Sequence, residues 1–136
     1  MNKANFHWPL RVYYEDTDAG GVVYYANYLR FMERARTEAL RGLGFDQGVL
    51  AQETGLAFVV RSVQVEYLRS AKLDDGLVIV SHIKELGRAQ MVFAQKVMRG
   101  EEVLVEGTVR VACVDLSRGR PAATPKPIYE KLKAFV

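Results

Sequence analysis

Two aspartates and two glycines stand close together between Asp16 and Gly21. This stretch follows a predicted strand and precedes a predicted helix, whose first N–H groups lack partners and carry partial positive charge. Gly20 and Gly21 let the backbone approach a ligand closely. One carboxylate beside such N–H groups supports acyl transfer, because the N–H groups stabilise an oxyanion while the carboxylate attacks or activates water. Aspartate and glycine before a helix are also typical of ordinary caps and turns.

The surroundings of this stretch favour an activated ester as substrate. An amide or alkyl ester has a poor leaving group that needs a proton donor, whereas a thiol ionises near about pH 8.5 and leaves unaided. The chain has two histidines, His7 and His82, and both lie outside the stretch. A site with one carboxylate, an oxyanion hole and no histidine acid therefore fits a thioester best.

A predicted strand and a predicted long helix flank the site. Residues 6–14 have a strand-like composition, and from Val22 to Arg41 apolar residues recur at spacings of three and four, which predicts an amphipathic helix. The predicted apolar face comprises Tyr25, Tyr28, Leu29, Met32, Ala35, Ala39 and Leu40. Gly42 and Gly44 should end this helix, and residues 46–54 are predicted to form a second, short one.

From Phe58 onward the apolar period changes to two, which predicts four further strands at 58–68, 77–83, 90–98 and 102–115. In the first of them, Val59, Val63, Val65 and Tyr67 are predicted to share one face. Short breaks between the strands predict antiparallel meander pairing, and a short helix is expected after Pro127. This order predicts an α+β domain over residues 1–136, with about five antiparallel strands and the long helix on one face.

Composition argues against several classes of protein. The net charge of +3 is modest and spread along the chain, so no duplex nucleic-acid partner is predicted. No segment reaches the roughly 18 apolar residues of a membrane span, and the first residues do not resemble a signal peptide. With a single cysteine, Cys113, this predicts a cytoplasmic protein without disulfides. No metal-ligand spacing is apparent, so neither a metal nor another cofactor is expected.

The run from Asp16 to Tyr28 resembles the active-site motif of hotdog-fold thioesterases of the 4-hydroxybenzoyl-CoA type. That motif, D-x-D-x-x-G-x-V-x-x-x-x-Y, is read here as Asp16, Asp18, Gly21, Val23 and Tyr28. The chain is still more similar to the Tol-Pal-associated, YbgC-type acyl-CoA thioesterases, through YEDTDAGGVVYYANYLRFMERARTE, VQVEYLRSAKLDD and a GRP turn near the end. The resemblance implies a hotdog fold, in which the sheet wraps the long helix, and an enzyme that hydrolyses acyl-CoA. An acyl carrier protein is the alternative carrier of the acyl group.

The resemblance also implies roles for single residues. Asp18, the second aspartate of the motif, is expected to be the catalytic carboxylate, either as nucleophile or as general base. The backbone N–H of Tyr25 is expected to bind the thioester carbonyl; many YbgC-type enzymes have histidine there, whereas the 4-hydroxybenzoyl type has tyrosine. Gly21 and Asn27 are candidate substrate-binding residues, as is Tyr28, which suits the core equally well.

Three arginines lie in predicted turns: Arg88, Arg118 and Arg120. In the family, basic residues at matching turns meet the CoA phosphates, and the forked donors of arginine suit phosphate. The alternative is that these three arginines are ordinary charged residues of the surface without a ligand. Asp16 is predicted to serve the turn rather than the chemistry, and Glu33 is predicted to pair with Arg36 on the helix.

One helix covers one face of the predicted sheet and leaves long edges, so a homodimer or a dimer of dimers (a homotetramer) is expected. In the resembling fold the sites form at the dimer interface. Two other functions compete with a thioesterase. A hydratase or dehydratase would need histidine near Asp18, which the sequence does not provide. A non-catalytic acyl- or protein-binding module of lipid or envelope machinery would tolerate the loss of Asp18.

Overall fold

A curled antiparallel sheet wraps one long helix in the computed structural model, which describes residues 5–136. Residues 1–4 of the predicted domain lie outside the described residues. Within the described part, six strands and three helices follow one another: β1 (Phe6–Arg11), α1 (Asn27–Gly42), α2 (Gln47–Thr54), β2 (Leu56–Tyr67), β3 (Gly76–Leu86), β4 (Gln90–Arg99), β5 (Glu102–Asp115), β6 (Arg120–Pro121) and α3 (Lys126–Lys133). The predicted α+β class and hotdog architecture are confirmed.

The strands lie in the order β1-β3-β4-β5-β2, and β6 adds to β5. Strands β3, β4 and β5 form the predicted meander, each antiparallel to the next. The prediction is wrong for the break at Asp74, Asp75 and Gly76, because β2 and β3 are not neighbours. Strand β1 takes the free side of β3, with Trp8 opposite Ile79, and β2 pairs with β5 at the other edge of the sheet.

Helix α1 packs its apolar face onto the inner face of the sheet. Phe31 and Met32 are fully buried there, in one cluster with Phe93 and Val105. Complete burial of such a side chain contributes about 1.5–3 kcal/mol, so this helix–sheet contact is a principal source of stability. The predicted helix face omits Phe31 and wrongly includes Leu29 and Tyr25. Leu29 is 38% exposed, and Tyr25 is 60% exposed and precedes the helix.

The long helix begins at Asn27 and not at Val22 as predicted. Val22 and Val23 are extended instead, since Val22 bridges to Lys72 and Val23 bridges to Thr17. The N–H of Val23 also donates to the carbonyl of Ala71 at 2.9 Å. These pairings with a distant segment outweigh the local helical pattern.

A β-bulge at Arg61 changes which side chains of β2 face the helix. The register with β5 shifts between Val60 and Ser62. Phe58 and Val60 therefore point to the inner face before the bulge, whereas Val65 reaches the core after it. The prediction that Val59 shares a face with Val65 is wrong, because the extra residue inverts the alternation.

The remaining differences lie at element ends. β1 stops at Arg11 rather than residue 14, because Tyr14–Asp16 form a single 3-10 turn. The second helix is confirmed, and the Asp46 carboxylate caps it by accepting from the N–H groups of Gly48 and Val49. The terminal helix α3 starts before Pro127, which occupies its first turn.

Candidate active site

A tight turn presents the carboxylate of Asp18. The Asp18 N–H donates to the Val22 carbonyl at 2.9 Å, and the Gly21 N–H donates to the Asp18 carbonyl at 3.0 Å. The Gly20 N–H binds Oδ1 of Asp18 at 2.8 Å. Gly21 has a φ of 80°, a conformation that suits glycine. The Asp18 side chain is exposed and makes this single hydrogen bond within the described residues, so it is accessible to a ligand.

The carboxylate of Asp16 is committed to the backbone framework. Its Oδ2 accepts from the Tyr13 N–H at 2.8 Å, and its Oδ1 accepts from Nδ2 of Asn27 at 2.6 Å. The Asp16 carbonyl accepts from the Tyr24 N–H. Asp16 thus ties the turn to the start of α1, as predicted for a turn residue. Asn27 is buried in this contact, and its side chain points to Asp16.

Just before α1, two backbone N–H groups have no acceptor within residues 5–136. The N–H groups of Tyr24, Asn27 and Tyr28 donate to main-chain carbonyls, whereas those of Tyr25 and Ala26 do not. Tyr25 lies two residues before the first helical residue, so the predicted oxyanion donor is part of the helix approach and not of its first turn. Unpaired donors at this position suit a carbonyl oxygen that gains negative charge.

An aromatic cluster stands beside these donors. The ring of Tyr25 lies 4.8 Å from Tyr24 and 6.0 Å from Tyr67, and Tyr28 lies 5.8 Å from Tyr67. Tyr67, at the end of β2, is a site neighbour that sequence reasoning did not identify. Burial, followed by the neighbouring Tyr25, raises the pKa of Tyr67 above its usual range. Its phenol therefore stays neutral at physiological pH.

Tyr28 is buried and anchors the chain segment that follows β2. Its hydroxyl oxygen accepts from the Ala71 N–H at 2.9 Å. Burial raises the pKa of Tyr28, against the opposing effect of that hydrogen bond. The Tyr28 side chain is 3% exposed and its hydroxyl accepts a hydrogen bond, which favours a core role. Substrate binding by Tyr28 stays a prediction.

The three predicted phosphate-binding arginines gather at one end of the sheet. The Arg88 guanidinium lies over the Tyr129 ring, 5.5 Å from its centroid, and the Arg88 carbonyl accepts from the Thr124 N–H. Arg118 and Arg120 flank the turn after β5, and both are exposed. Arg120 pairs with Asp115 in the sheet. Asp115 also pairs with Leu56, so Arg118 and Arg120 lie toward the start of β2. The Asp18 turn lies toward the other end of β2, where Tyr25 contacts Tyr67.

Two further predictions have structural outcomes. The Glu33 carboxylate accepts from the Thr37 hydroxyl at 2.6 Å and makes no ion pair with Arg36 among the described residues, so the predicted pairing is wrong.

Cys113 is buried in β5, as expected, and burial raises the pKa of its thiol. Within the described part of the chain, no group of three or more histidine, cysteine or acidic residues has a geometry that fits a metal ion.

Comparison with known proteins identifies the family. Residues 20–106 match the thioesterase superfamily. The chain belongs to the thioesterase superfamily. It is 52% identical over 123 residues to the acyl-CoA thioesterase YbgC of Haemophilus influenzae, with 90% of each chain covered. It is 49% identical over 134 residues to the acyl-CoA thioester hydrolase YbgC of Escherichia coli O6:H1, covering 98% of this chain and 99% of that one.

Solved structures agree with this assignment. A probable thioesterase from Bartonella henselae is 38% identical and superposes with a TM-score of 0.84, covering 90% of this chain and 100% of that chain. The predicted resemblance to hotdog-fold, YbgC-like thioesterases is confirmed, and this superfamily member is a thioester hydrolase. The superfamily match begins at Gly20, two residues after Asp18.

Proposed function

We propose that this thioesterase hydrolyses acyl-CoA with Asp18 as its catalytic carboxylate and the Tyr25 N–H as its oxyanion donor. The observation that carries this proposal is an exposed carboxylate, followed on the same short segment before α1 by unpaired N–H groups. The close relatives named as acyl-CoA thioesterases support the choice of substrate. Asp16 is assigned to the turn and not to the chemistry, because each of its two oxygens accepts a hydrogen bond there.

Hydrolysis of the thioester needs little more than the Asp18 carboxylate, the Tyr25 N–H and a water molecule. The thioester carbonyl oxygen accepts from the Tyr25 N–H, and Asp18 attacks the carbonyl carbon or takes a proton from the attacking water. The C–S bond then breaks, and the CoA thiolate leaves without a proton donor because its conjugate thiol is acidic. Where Asp18 is the nucleophile, water then hydrolyses the acyl–Asp18 anhydride, which releases the acid and restores the carboxylate. Loss of one oxyanion donor costs about 3–4 kcal/mol in comparable sites, so the preorganised N–H groups supply a large part of the rate.

The active assembly is proposed to be a dimer joined through β2. Strands β1 and β2 are the two edges of the sheet. β1 has six residues and includes Pro9, which lacks an N–H, so it is a protected edge. β2 has 12 residues and exposes Val59, Val63 and Tyr67. A long apolar edge of this kind is suited to pairing with a second copy.

This dimer would unite Asp18 with the arginines. Eleven steps along β2 span about 36 Å, so the two groups are far apart within one subunit. A two-fold antiparallel pairing of β2 with its copy places the start of one β2 beside the end of the other. Arg118 and Arg120 of one subunit then lie on the side of Asp18 of the partner subunit. Phosphate contacts far from the thioester should contribute mainly to KM.

The proposed donor is CoA, and the phosphate-binding role of the arginines is the basis for preferring it to an acyl carrier protein. Within residues 5–136, no helix is long and apolar enough to cross a membrane. A cytoplasmic site of action is proposed from the chemistry of Cys113, a buried free thiol in a chain without disulfides.

Replacement of Asp18 tests the proposal. Asp18→Asn keeps the shape and the acceptor for the Gly20 N–H but removes the negative charge, so we expect kcat for the best acyl-CoA to fall at least about a hundredfold. Release of free thiol across acyl-CoAs of varied length measures this. Turnover by Asp18→Asn within about threefold of the parent would exclude Asp18 as the catalyst. A parent that binds acyl-CoA without hydrolysing it would favour the non-catalytic binding module.

A further inference from the structure

A small cavity lies between α1 and the sheet, separate from the Asp18 turn. Its volume is about 200 Å³. Apolar side chains of three strands form its floor, among them Phe58, Phe93 and Val111, whereas the helices contribute the polar groups of Glu33, Arg36, Thr37 and Gln47. A space of this kind, apolar with a few convergent polar groups, has the character of a small-molecule subsite.

Arg36 is the unusual member of this lining. Its side chain sits on the buried face of α1 and is 9% exposed. Nη1 donates to Oε1 of Gln95 at 3.1 Å. The amide of Gln95 is otherwise engaged, since its Nε2 donates to the Met32 carbonyl and to the Ser81 hydroxyl. Gln95 therefore satisfies one of the five guanidinium donors through its oxygen.

The other donors of Arg36 face the cavity. Among the described residues, no fully enclosed side-chain nitrogen or oxygen lacks a partner. The remaining Arg36 nitrogens are therefore accessible, and the space that Arg36 lines is this cavity. No carboxylate of the described residues lies within ion-pair distance of Arg36. Glu33 also lines the cavity and acts electrostatically on Arg36, but its side chain is exposed to solvent and accepts from the Thr37 hydroxyl.

A buried guanidinium without a counter-ion is costly. Desolvation lowers the pKa of Arg36, yet arginine stays charged in proteins. Such a group is retained at a cost to stability unless a ligand supplies the missing acceptor. An oxygen atom with lone pairs, placed in this cavity, would satisfy donors that the protein leaves unused.

The cavity also lies where the proposed dimer needs a subsite. Phe58 and Val60, in the first half of edge strand β2, form part of its wall. In the two-fold pairing, this half of β2 lies beside the end of the partner's β2, where Tyr67 contacts Tyr25. In that pairing the cavity lies at the same end of the interface as the thioester site of the partner subunit.

We propose that this cavity receives the far end of the acyl group and that Arg36 selects acyl groups that carry an acceptor oxygen there. The proposal rests on the thioesterase function above and specifies its substrate. A water occupies about 30 Å³ of liquid, so the cavity has room for on the order of six non-hydrogen atoms, which matches the size of a short acyl group. A terminal hydroxyl and a terminal carboxylate share the required chemistry.

The test compares acyl-CoAs that differ at the acyl end alone. 4-Hydroxybutyryl-CoA is matched with valeryl-CoA, and succinyl-CoA with 4-methylvaleryl-CoA. We expect the parent to prefer the oxygenated member of at least one pair by about tenfold in kcat/KM. The pair that shows the preference identifies the hydroxyl or the carboxylate as the group recognised.

Arg36→Met should abolish this preference, whereas Arg34→Met, at an exposed position on the same helix, should keep it. The preference is a ratio within each variant, so a loss of folded protein does not alter it. If Arg36→Met does not fold, Arg36→Gln provides the same comparison with a polar group left for Gln95.

Equal use of both members of each pair by the parent overturns the proposal, as does a preference that survives the loss of Arg36. Failure of the proposed function has a different signature, because the parent would then hydrolyse no acyl-CoA of any length. Hydrolysis of longer acyl-CoAs with none of these four overturns the proposal for the cavity alone.

Discussion

Asp16 and Asp18 are two positions apart, and their carboxylates have different partners. The two oxygens of Asp16 accept from Tyr13 and Asn27, which join the turn to α1. Asp18 accepts from one N–H of its own turn and otherwise faces solvent. The same side-chain chemistry therefore stabilises the fold at one position and is left available for catalysis at the other.

These contacts predict opposite effects of one substitution at the two sites. Asp16→Asn weakens charge-assisted hydrogen bonds and should lower the free energy of unfolding by about 1–3 kcal/mol. Asp18→Asn should change it by less than about 0.5 kcal/mol, because an exposed side chain loses little. Urea unfolding measures both, and each variant is the control for the other. Equal destabilisation, or a larger loss of kcat from Asp16→Asn than from Asp18→Asn, would contradict these roles.

Sequence reasoning identifies residues that are close in the chain and overlooks those that the fold brings in. Asp18, Gly21 and the Tyr25 N–H lie on one short stretch, so local spacing was enough to propose them. Tyr67 reaches Tyr25 because β2 ends beside the turn, which local spacing does not reveal. Arg36 did leave a signal, since it stands four residues after Met32 and four before Leu40 on the apolar face of α1.

At the scale of elements, long-range pairing determines where α1 begins. Local periodicity extended the predicted helix back to Val22, but strand-like bridges to Lys72 and Thr17 hold this segment open. The predicted fold class did not depend on this detail, because the long amphipathic run and the alternating strands already require a helix on a sheet. The order of the strands did depend on long-range pairing, which explains the error over β2 and β3.

Gly21→Ala should strain the turn that carries Asp18. Gly21 has a φ of 80°, where an added Cβ costs about 1–2 kcal/mol even though the space around it is open. We expect a lower melting temperature together with reduced kcat. Gly42→Ala is the matched control, because Gly42 ends α1 without a positive φ and has open space at its Cβ. The control should be neutral or stabilising, and a Gly21→Ala variant as stable as Gly42→Ala would show that the turn tolerates the change.

The segment between β2 and β3 is held by Asp75, and this contact should depend on pH. Burial raises the pKa of Asp75, but the hydrogen bond from the Lys72 N–H and the contact with Arg99 outweigh it, so the net pKa is lowered. The Arg99 Nη1 lies 2.8 Å from Oδ2 of Asp75. The folded state therefore binds the proton less readily than the unfolded chain, whose aspartate titrates near about 3.9.

The sign of this effect follows from linkage. The contribution of Asp75 to stability is fully present above about pH 4 and is lost as the pH falls through the lower folded pKa. Urea unfolding of the parent and of Asp75→Asn should differ at pH 6 and converge below pH 4. A difference between the two proteins that is constant over this range would show that the Asp75 charge is not the stabilising feature.

At the scale of the whole molecule, the topology separates the two halves of the proposed site. Asp18 lies toward the end of β2, and Arg120 pairs with Asp115 at the end where β2 begins. The edge position of β2 makes a two-fold dimer the simplest arrangement that brings them together. Such an enzyme has two sites per dimer, and each site draws residues from both subunits.

Subunit mixing tests this arrangement. Asp18→Asn carries intact arginines, whereas Arg118→Ala with Arg120→Ala carries an intact carboxylate. Random pairing of equal amounts makes about half of the dimers hybrid, and each hybrid has one intact site, so the mixture should recover about a quarter of the parental kcat/KM. The assay runs at acyl-CoA concentrations below KM, where phosphate contacts count. The controls are the two variants, each assayed unmixed at the same total protein concentration. Mixtures no more active than the mean of their parts, or a fully active species of 15.3 kDa by light scattering, would place the whole site within one subunit.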